Sequence, residues 1–287
     1  MRDFLAIDWG TTNRRFYRIA DGNVVWSMRD DVGVTVMGGR SYAAEIASLR
    51  ADQGDIPVLM AGMVGSSIGW AEVPYVMAPA TIDDLVAGTR EIQDKIFISP
   101  GLAIRCGEQR DVMRGEEVQF LGALAAGLVP SEAFVCQPGT HNKWATLKAG
   151  AVQWFASAMT GELFALLQRH SILSPQLATP VVDGAAFVAG VQRGSKGDLA
   201  TSLFQVRAAG LLGTLSQGDA ASFASGLLIG AEVAARVEQG SVVNVLSDPI
   251  LGALYQTAIQ TLGGNAQIVN SHQAFAAGVI ALGEKLL

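Results

Sequence analysis

Cysteine is nearly absent: Cys106 and Cys136 are the only two in 287 residues. Two widely spaced thiols make neither a disulfide framework nor a zinc-ligand pattern. A basic block is missing as well. Lys and Arg number 20 against 26 Asp and Glu, a formal net charge of −6, so the chain carries no electrostatic footprint for nucleic acid. Long apolar runs are also lacking. The run Phe4-Leu5-Ala6-Ile7 is bounded by Asp3 and Asp8 and is too short for a signal-peptide core. From Pro249 to Gly283 there is no formal charge, yet Gln256, Gln260, Asn265, Asn270 and His272 interrupt the stretch. It reads as the buried part of a lobe, not a membrane span. The expectation is a cytoplasmic protein with neither nucleic acid nor membrane as a partner. No low-complexity linker divides the chain, so its halves are expected to share a hinge made of helices.

Glycine, at 33 residues, and apolar side chains, at 50%, are plentiful. They suit two lobes of roughly 100–150 residues with many tight turns. The most informative stretch follows the first apolar run: Asp8-Trp9-Gly10-Thr11-Thr12-Asn13. A buried strand ends at a carboxylate, turns through glycine and returns along Phe16, Arg18 and Ala20. Such a tip offers backbone N–H groups and hydroxyls to a phosphate, with Asp8 placed to hold a hydrated divalent metal. The same residues also make an ordinary Asx turn.

Further on, Asn23–Met28 reads as a third strand, 41–50 as a helix capped by Ser41, and 57–61 as a buried strand. Gly62-Met63-Val64-Gly65-Ser66 then opens a loop running past Trp70 and Tyr75, where α/β proteins commonly place ligands. Residues 82–93 are predicted as one helix and 95–99 as a strand. Asp111 precedes a helical stripe at Val118, Leu121, Gly122 and Ala125, as an N-cap, a general base, or both. The opening pattern then returns: a strand at 133–136, a turn through Pro138-Gly139-Thr140-His141-Asn142-Lys143, and strands at 144–148 and 151–156. The two copies share little beyond Gly-Thr and an Asn two positions later, so the echo lies in the organisation, and internal duplication is the possibility to check. Thr160 is expected to cap the next helix. Helices at 199–215 and 220–236, a strand at 242–246, a helix at 250–262, a strand at 267–269 and a last helix from Gln273 complete the reading.

These stretches resemble the sugar kinase, heat-shock ATPase and actin superfamily. More narrowly, the chain is similar to the 2-dehydro-3-deoxygalactonokinase family. The likeness rests on Asp8 to Asn13, Gly62 to Ser66 with Gly69-Trp70, and Asp111-Val112-Met113-Arg114-Gly115-Glu116-Glu117. It continues through Pro138 to Trp144, Met159 to Phe164, and Ser225 to Glu232, in the family's order. The resemblance implies an α/β fold of two ribonuclease-H-like lobes, with mixed sheets flanked by helices and an ATP cleft between them. The lobes are expected at residues 1–112 and 113–287.

The implied activity is ATP-dependent phosphorylation of the 6-hydroxyl of 2-dehydro-3-deoxy-D-galactonate, with Mg²⁺. On that likeness Asp8 holds the metal, while Gly10, Thr11 and Thr12 cradle phosphates. Gly139, Thr140 and Lys143 serve the nucleotide from the other lobe. Asp111 aligns or deprotonates the acceptor hydroxyl. Asn13, Gly62, Met63, Val64, Gly65 and Trp70 border the sugar acid, and Arg14, Arg15 and Arg114 are the candidates for its carboxylate, with Arg14 and Arg114 preferred. Gln137 stands where many of the superfamily carry aspartate, which throws metal binding onto Asp8. Leu246-Ser247-Asp248-Pro249 replaces the usual glycine-rich adenosine turn. Two other readings share much of this pattern: a kinase for another sugar or sugar acid, and an actin-like nucleotide switch. The apolar helices fit a homodimer face and a buried core equally well.

Overall fold

The computed structural model describes residues 3–287. The chain forms a mixed α/β fold in two compact units. The first takes in the chain up to Glu132, Ala145–Ala156 and Ser271–Leu287; the second is Ala133–Trp144 with Ser157–Asn270.

The first unit begins with β1 (Phe4–Trp9), β2 (Arg14–Ala20), β3 (Asn23–Asp30), α1 (Tyr42–Gln53) and β4 (Val58–Ala61). Two short strands, β5 (Val76–Met77) and β6 (Ala80–Thr81), lead to α2 (Ile82–Gly88), β7 (Arg90–Gln93) and β8 (Ile96–Ile98). Next come β9 (Leu102–Cys106), β10 (Gln109–Met113) and α3 (Glu116–Ala125). The main sheet has the order β3-β2-β1-β4-β8-β7. β1 runs antiparallel to β2 and parallel to β4, and β4 runs parallel to β8. An antiparallel meander extended by parallel crossovers is the expected ribonuclease-H-like arrangement. Its core is Leu5, Ile7, Trp9, Val58 and Met60, which alternate or run continuously along strands buried on both faces.

The second unit opens with β11 (Glu132–Gln137), from which β12 (Asn142–Lys148) and β13 (Ala151–Ala158) carry the chain onward. It then holds α4 (Thr160–His170), α5 (Ala185–Gly194), α6 (Leu199–Leu211), α7 (Gln217–Ala234), β14 (Val242–Ser247), α8 (Pro249–Thr261) and β15 (Asn265–Asn270). β11, β14 and β15 are parallel neighbours, as β1, β4 and β8 are in the first unit. The turns that end the second strand of each series match as well: Asp21-Gly22 and Ala149-Gly150 both place two consecutive residues at positive φ. The echo heard in the sequence is therefore an echo of topology. α9 (Ser271–Leu286) returns the chain to the first unit.

That return explains why the units do not divide between residues 112 and 113. α3 and α9 cross so closely that a Cβ on Gly122 would lie 2.1 Å from the Ala274 carbonyl oxygen, and one on Gly278 would lie 2.1 Å from that of Val118. Residues 113–132 and the last helix thus belong to the first unit.

Several local expectations change. The helix predicted over 82–93 stops at Gly88, and Arg90–Gln93 pairs antiparallel with β8. A reciprocal Thr81–Asp84 capping box starts that helix, and Thr89 ends it by turning extended. Asp111 is no N-cap: it lies within β10, opposite Ile104, and Gly115 precedes α3. Thr160 is the first residue of α4 behind Met159, not its cap. The helix predicted to reach residue 215 ends at Leu211, and α5 was not foreseen. Ser41 does cap α1, accepting from the Ala44 N–H. Among the described residues no helix is long and apolar enough to cross a membrane.

Candidate functional site

The first unit gathers its polar residues where β1 and β4 end. Gly10 N–H donates to the Asn13 carbonyl at 2.9 Å, closing the turn and leaving Thr11 and Thr12 exposed. The segment around Gly33 braces it: Val34 N–H donates to Gly10 O and Thr35 N–H to Thr11 O. A Cβ on Gly33 would fall 2.3 Å from Thr11 O.

Beside this turn, backbone layers stack on the Asp8 carboxylate. Gly62 and Gly115 adopt φ of 95° and 111°, a region that side-chain-bearing residues rarely enter. A Cβ on Gly62 would meet Trp9 O at 2.8 Å and Asp8 Oδ1 at 3.5 Å; one on Gly115 would meet the Gly62 Cα at 3.3 Å. These two glycines bring the start of α3 against the end of β1. Glu116, in the first turn of that helix, therefore lies near Asp8.

The electrostatics agree. Asp8 is only half-buried by exposed area, but its surroundings are dense enough to push its carboxyl up to about 6. Desolvation is the main cause; Arg15, its cross-strand partner, opposes it, and the Glu116 charge adds to it. No group of three or more His, Cys, Asp or Glu suited to a metal occurs among the described residues. A hydrated Mg²⁺ needs only one or two carboxylates, the rest of its shell being water and phosphate oxygens. The donor set at Asp8 fits that ion.

The three arginines separate clearly. Arg14 is committed to the fold: Nε donates to both Asp30 oxygens at 2.9 and 3.1 Å, and Nη2 to Glu45 at 2.6 Å. Its guanidinium also lies over Trp9 and Phe16. Arg15 faces Asp8 and donates through Nη1 to His272 Nδ1 at 2.6 Å. Because a guanidinium only donates, that ring nitrogen is unprotonated. Arg114 is 8% exposed, and its Nη2 donates to Val73 O at 2.8 Å. Its Nε and Nη1 are buried with no hydrogen-bond partner among the described residues. The guanidinium lies 4.3 Å from the Tyr75 ring centroid, and a Cβ on Gly65 would approach Nη1 to 3.0 Å.

The rest of the 62–70 loop is mostly structural. Val64 is fully buried, Met63 packs against the core, and Trp70 stacks on Tyr42 with centroids 5.7 Å apart. The backbone from Gly62 to Gly65 and the partly exposed edges of Met63 and Trp70 are what this loop offers a ligand. Asp111 sits three residues before Arg114 on a separate three-stranded sheet, its Oδ1 accepting from Val112 N–H.

Glu117 is wholly buried and accepts from Gly115 N–H through both oxygens, at 2.7 and 2.8 Å. Burial above all, then the Glu116 charge, pushes its carboxyl up to about 8, against the backbone donors and Arg114. The folded state thus holds this proton more tightly than the unfolded chain. Its stabilising effect is full below pH 4.5 and is lost as pH rises towards 8. Replacing Glu117 with Gln should therefore raise stability relative to the native chain at pH 8.5 and not at pH 5, by roughly a few kcal/mol, and Tm with it. Thermal melts at the two pH values check this.

In the second unit, Gly139 and Thr140 are exposed at the β11–β12 turn, while Asn142 and Lys143 are buried. The start of α4 presses on the turn: a Cβ on Gly161 would lie 2.1 Å from Gly139 O, and Glu162 N–H donates to Thr140 O. His141 Nε2 and Glu162 Oε2 are 2.5 Å apart. Next to the turn is a cavity of 240 Å³, walled by Asn142, Thr160, Phe164, Ser225, Leu254 and Tyr255. It is largely apolar, as a nucleoside pocket would be.

Two acids at the site escaped the sequence reading. Glu116 and Glu117 close the Asp111–Glu117 stretch and stand largely off the apolar stripe of α3, and sequence alone assigns neither a role. The signal available was the glycine before them, which lets the helix start against another backbone.

Comparison with known proteins adds to this geometry. Residues 8–282 match the family profile described as 2-keto-3-deoxy-galactonokinase. The Escherichia coli (strain K12) 2-dehydro-3-deoxygalactonokinase is 39% identical over 282 residues, covering 96% of each chain. A crystal structure from Sinorhizobium meliloti, described as a candidate 2-dehydro-3-deoxygalactonokinase, superposes with a TM-score of 0.92 at 34% identity, covering 99% of both chains. Component A of (R)-2-hydroxyglutaryl-CoA dehydratase from Acidaminococcus fermentans shares the fold at a TM-score of 0.54 and 14% identity, covering 100% of this chain and 99% of its own.

Proposed function

Because the chain belongs to the 2-keto-3-deoxy-galactonokinase family, we propose that it transfers the γ-phosphoryl group of ATP to the 6-hydroxyl of 2-dehydro-3-deoxy-D-galactonate. The observation that carries the acid-sugar part is Arg114, a buried guanidinium with two unpartnered N–H groups beside Gly65. A buried cation of this kind costs free energy until an anion pairs with it. A planar carboxylate matches its donors. Arg14, already paired with two carboxylates, is a structural residue.

In the first unit, Gly10, Thr11 and Thr12 form the phosphate turn, Asn13 borders the sugar acid, and Asp8 holds Mg²⁺ through water. The metal neutralises developing phosphate charge when bound. In the second unit, Gly139, Thr140 and Lys143 receive the nucleotide, and the neighbouring cavity takes its nucleoside end. During transfer, O6 of the sugar acid bonds to the γ-phosphorus. The bond to the β,γ-bridging oxygen breaks, and ADP leaves with that electron pair. The hydroxyl proton passes to a carboxylate. Sequence and geometry nominate different groups for this step, Asp111 on β10 and Glu116 beside Asp8. The placement of Glu116 near the metal-binding carboxylate favours it, since transfer takes place there.

The product identifies the reaction. ³¹P NMR of a mixture of enzyme, ATP, Mg²⁺ and the sugar acid should show a new phosphomonoester coupled to the C6 protons. Inorganic phosphate alone would instead indicate a nucleotide-switch ATPase. The Asp8 carboxyl near pH 6 adds a second expectation. Protonation weakens its hold on the metal, so the Mg²⁺ concentration for half-maximal rate should climb about tenfold per pH unit below 6 and stay flat above 7. Magnesium titrations from pH 5 to 8 measure it.

A further inference from the structure

Glu232 is far from either phosphate turn in sequence, yet it lies at the centre of a buried polar knot. It is 6% exposed, and Asn142, Trp144 and Tyr255 around it are 1%, 0% and 1% exposed. Trp144 Nε1 donates to Glu232 Oε1 at 2.6 Å. Asn142 Nδ2 and the Tyr255 hydroxyl donate to Oε2, each at 2.8 Å. Trp144, Asn142 and Tyr255 all donate to this carboxylate, so it works here as an acceptor.

An asparagine amide can point either way, and here the carboxylate decides. With Nδ2 drawn to Glu232, Oδ1 of Asn142 is turned towards the β11–β12 turn, where it accepts from Gly139 N–H at 2.7 Å. That bond holds one N–H of the turn inward and leaves Thr140 exposed at the tip. Asn142 and Tyr255 also form a wall of the adjacent 240 Å³ cavity. The knot therefore governs both the turn and the pocket beside it.

We propose that Glu232 is a positioning residue for nucleotide binding, acting through the Asn142 amide to fix the Gly139-Thr140 turn. This rests on reading that turn as a nucleotide contact. Glu232→Gln presents an amide N–H to groups that are themselves donors, and Asn142→Asp sets a second carboxylate against the first. Each should weaken ATP binding about tenfold, the worth of one well-placed hydrogen bond. Made together, the two substitutions restore a donor–acceptor pair: the new amide donates to the new carboxylate, which still accepts from Gly139 N–H. The pair should recover most of the lost affinity, a reciprocity that separate structural damage would not give.

ATP affinity is measured by equilibrium dialysis of the intact protein, with thermal melts alongside. Loss in each single variant and recovery in the pair supports the proposal. Single variants that melt earlier but bind ATP normally, or losses that add in the pair, overturn it. If Glu232→Gln does not fold, Glu232→Asp, which withdraws the charge from Asn142 by one methylene, carries the same expectation. Wild-type protein that binds ATP and phosphorylates no sugar acid would sink the kinase reading while leaving this test in force. Wild-type protein that binds no ATP would sink the proposal itself.

Discussion

Glu116→Gln should lower kcat by about 10²–10⁴-fold, the usual worth of a general base, with little change in KM for ATP or sugar acid. The amide keeps the size of the side chain and can still accept from the Arg114 N–H, now 3.1 Å from Glu116 Oε2. What it cannot do is take the proton of the attacking hydroxyl. Asp111→Asn is the counterpart. On β10, with Oδ1 engaged by Val112 N–H, Asp111 should prove the smaller contributor to kcat. Pre-steady-state rates of both variants separate them. A larger loss in Asp111→Asn would return the role to the residue that the sequence nominated. Unchanged rates in a folded Glu116→Gln protein would remove Glu116 from the chemistry.

Arg114→Met should raise KM for the sugar acid about 10²–10³-fold, corresponding to the 2–5 kcal/mol typical of a buried charge pair that loses one partner. KM for ATP should hold. In the free protein the substitution removes a cation with two unpartnered donors, so Tm should stay level or rise. Arg14→Met offers the contrast: it strands Asp30 and Glu45, and should lower Tm whatever it does to activity. Initial-rate kinetics with calorimetry on the two variants distinguish a ligand arginine from a structural one. An Arg114→Met enzyme with native KM for the sugar acid would contradict the assignment.

Much of the fold was legible because the buried strands announce themselves. Leu5, Ile7 and Trp9, or Val243 and Val245, are short apolar runs ending at turn residues, and Ser41 is an ordinary cap. The small sheet of β5, β9 and β10 was not, since its strands are only 2 to 5 residues long and their apolar residues are interrupted by Arg105, Arg110 and Asp111. The failure at residues 90–93 has the same source: pairing with β8 outweighs a weak helical preference.

At the site, residue types were readable and partners were not. Arg14 and Arg114 look alike in a string of letters. What separates them is that Asp30 and Glu45 reach the first, while a glycine, a tyrosine face and one carbonyl surround the second. The neighbourhood of Glu116 and Asp8 depends on two glycines far apart in sequence, Gly62 and Gly115, meeting Cα to Cα. No periodicity encodes that meeting.

The most direct measurement is ADP release with ATP and Mg²⁺, comparing 2-dehydro-3-deoxy-D-galactonate, its gluconate epimer and glucose as acceptors. Release that depends on the galactonate and is absent with glucose is the expected result, because the buried Arg114 guanidinium keeps two N–H groups for a carboxylate that glucose lacks. Turnover with glucose and not with the galactonate, or ADP release independent of all three, would contradict it.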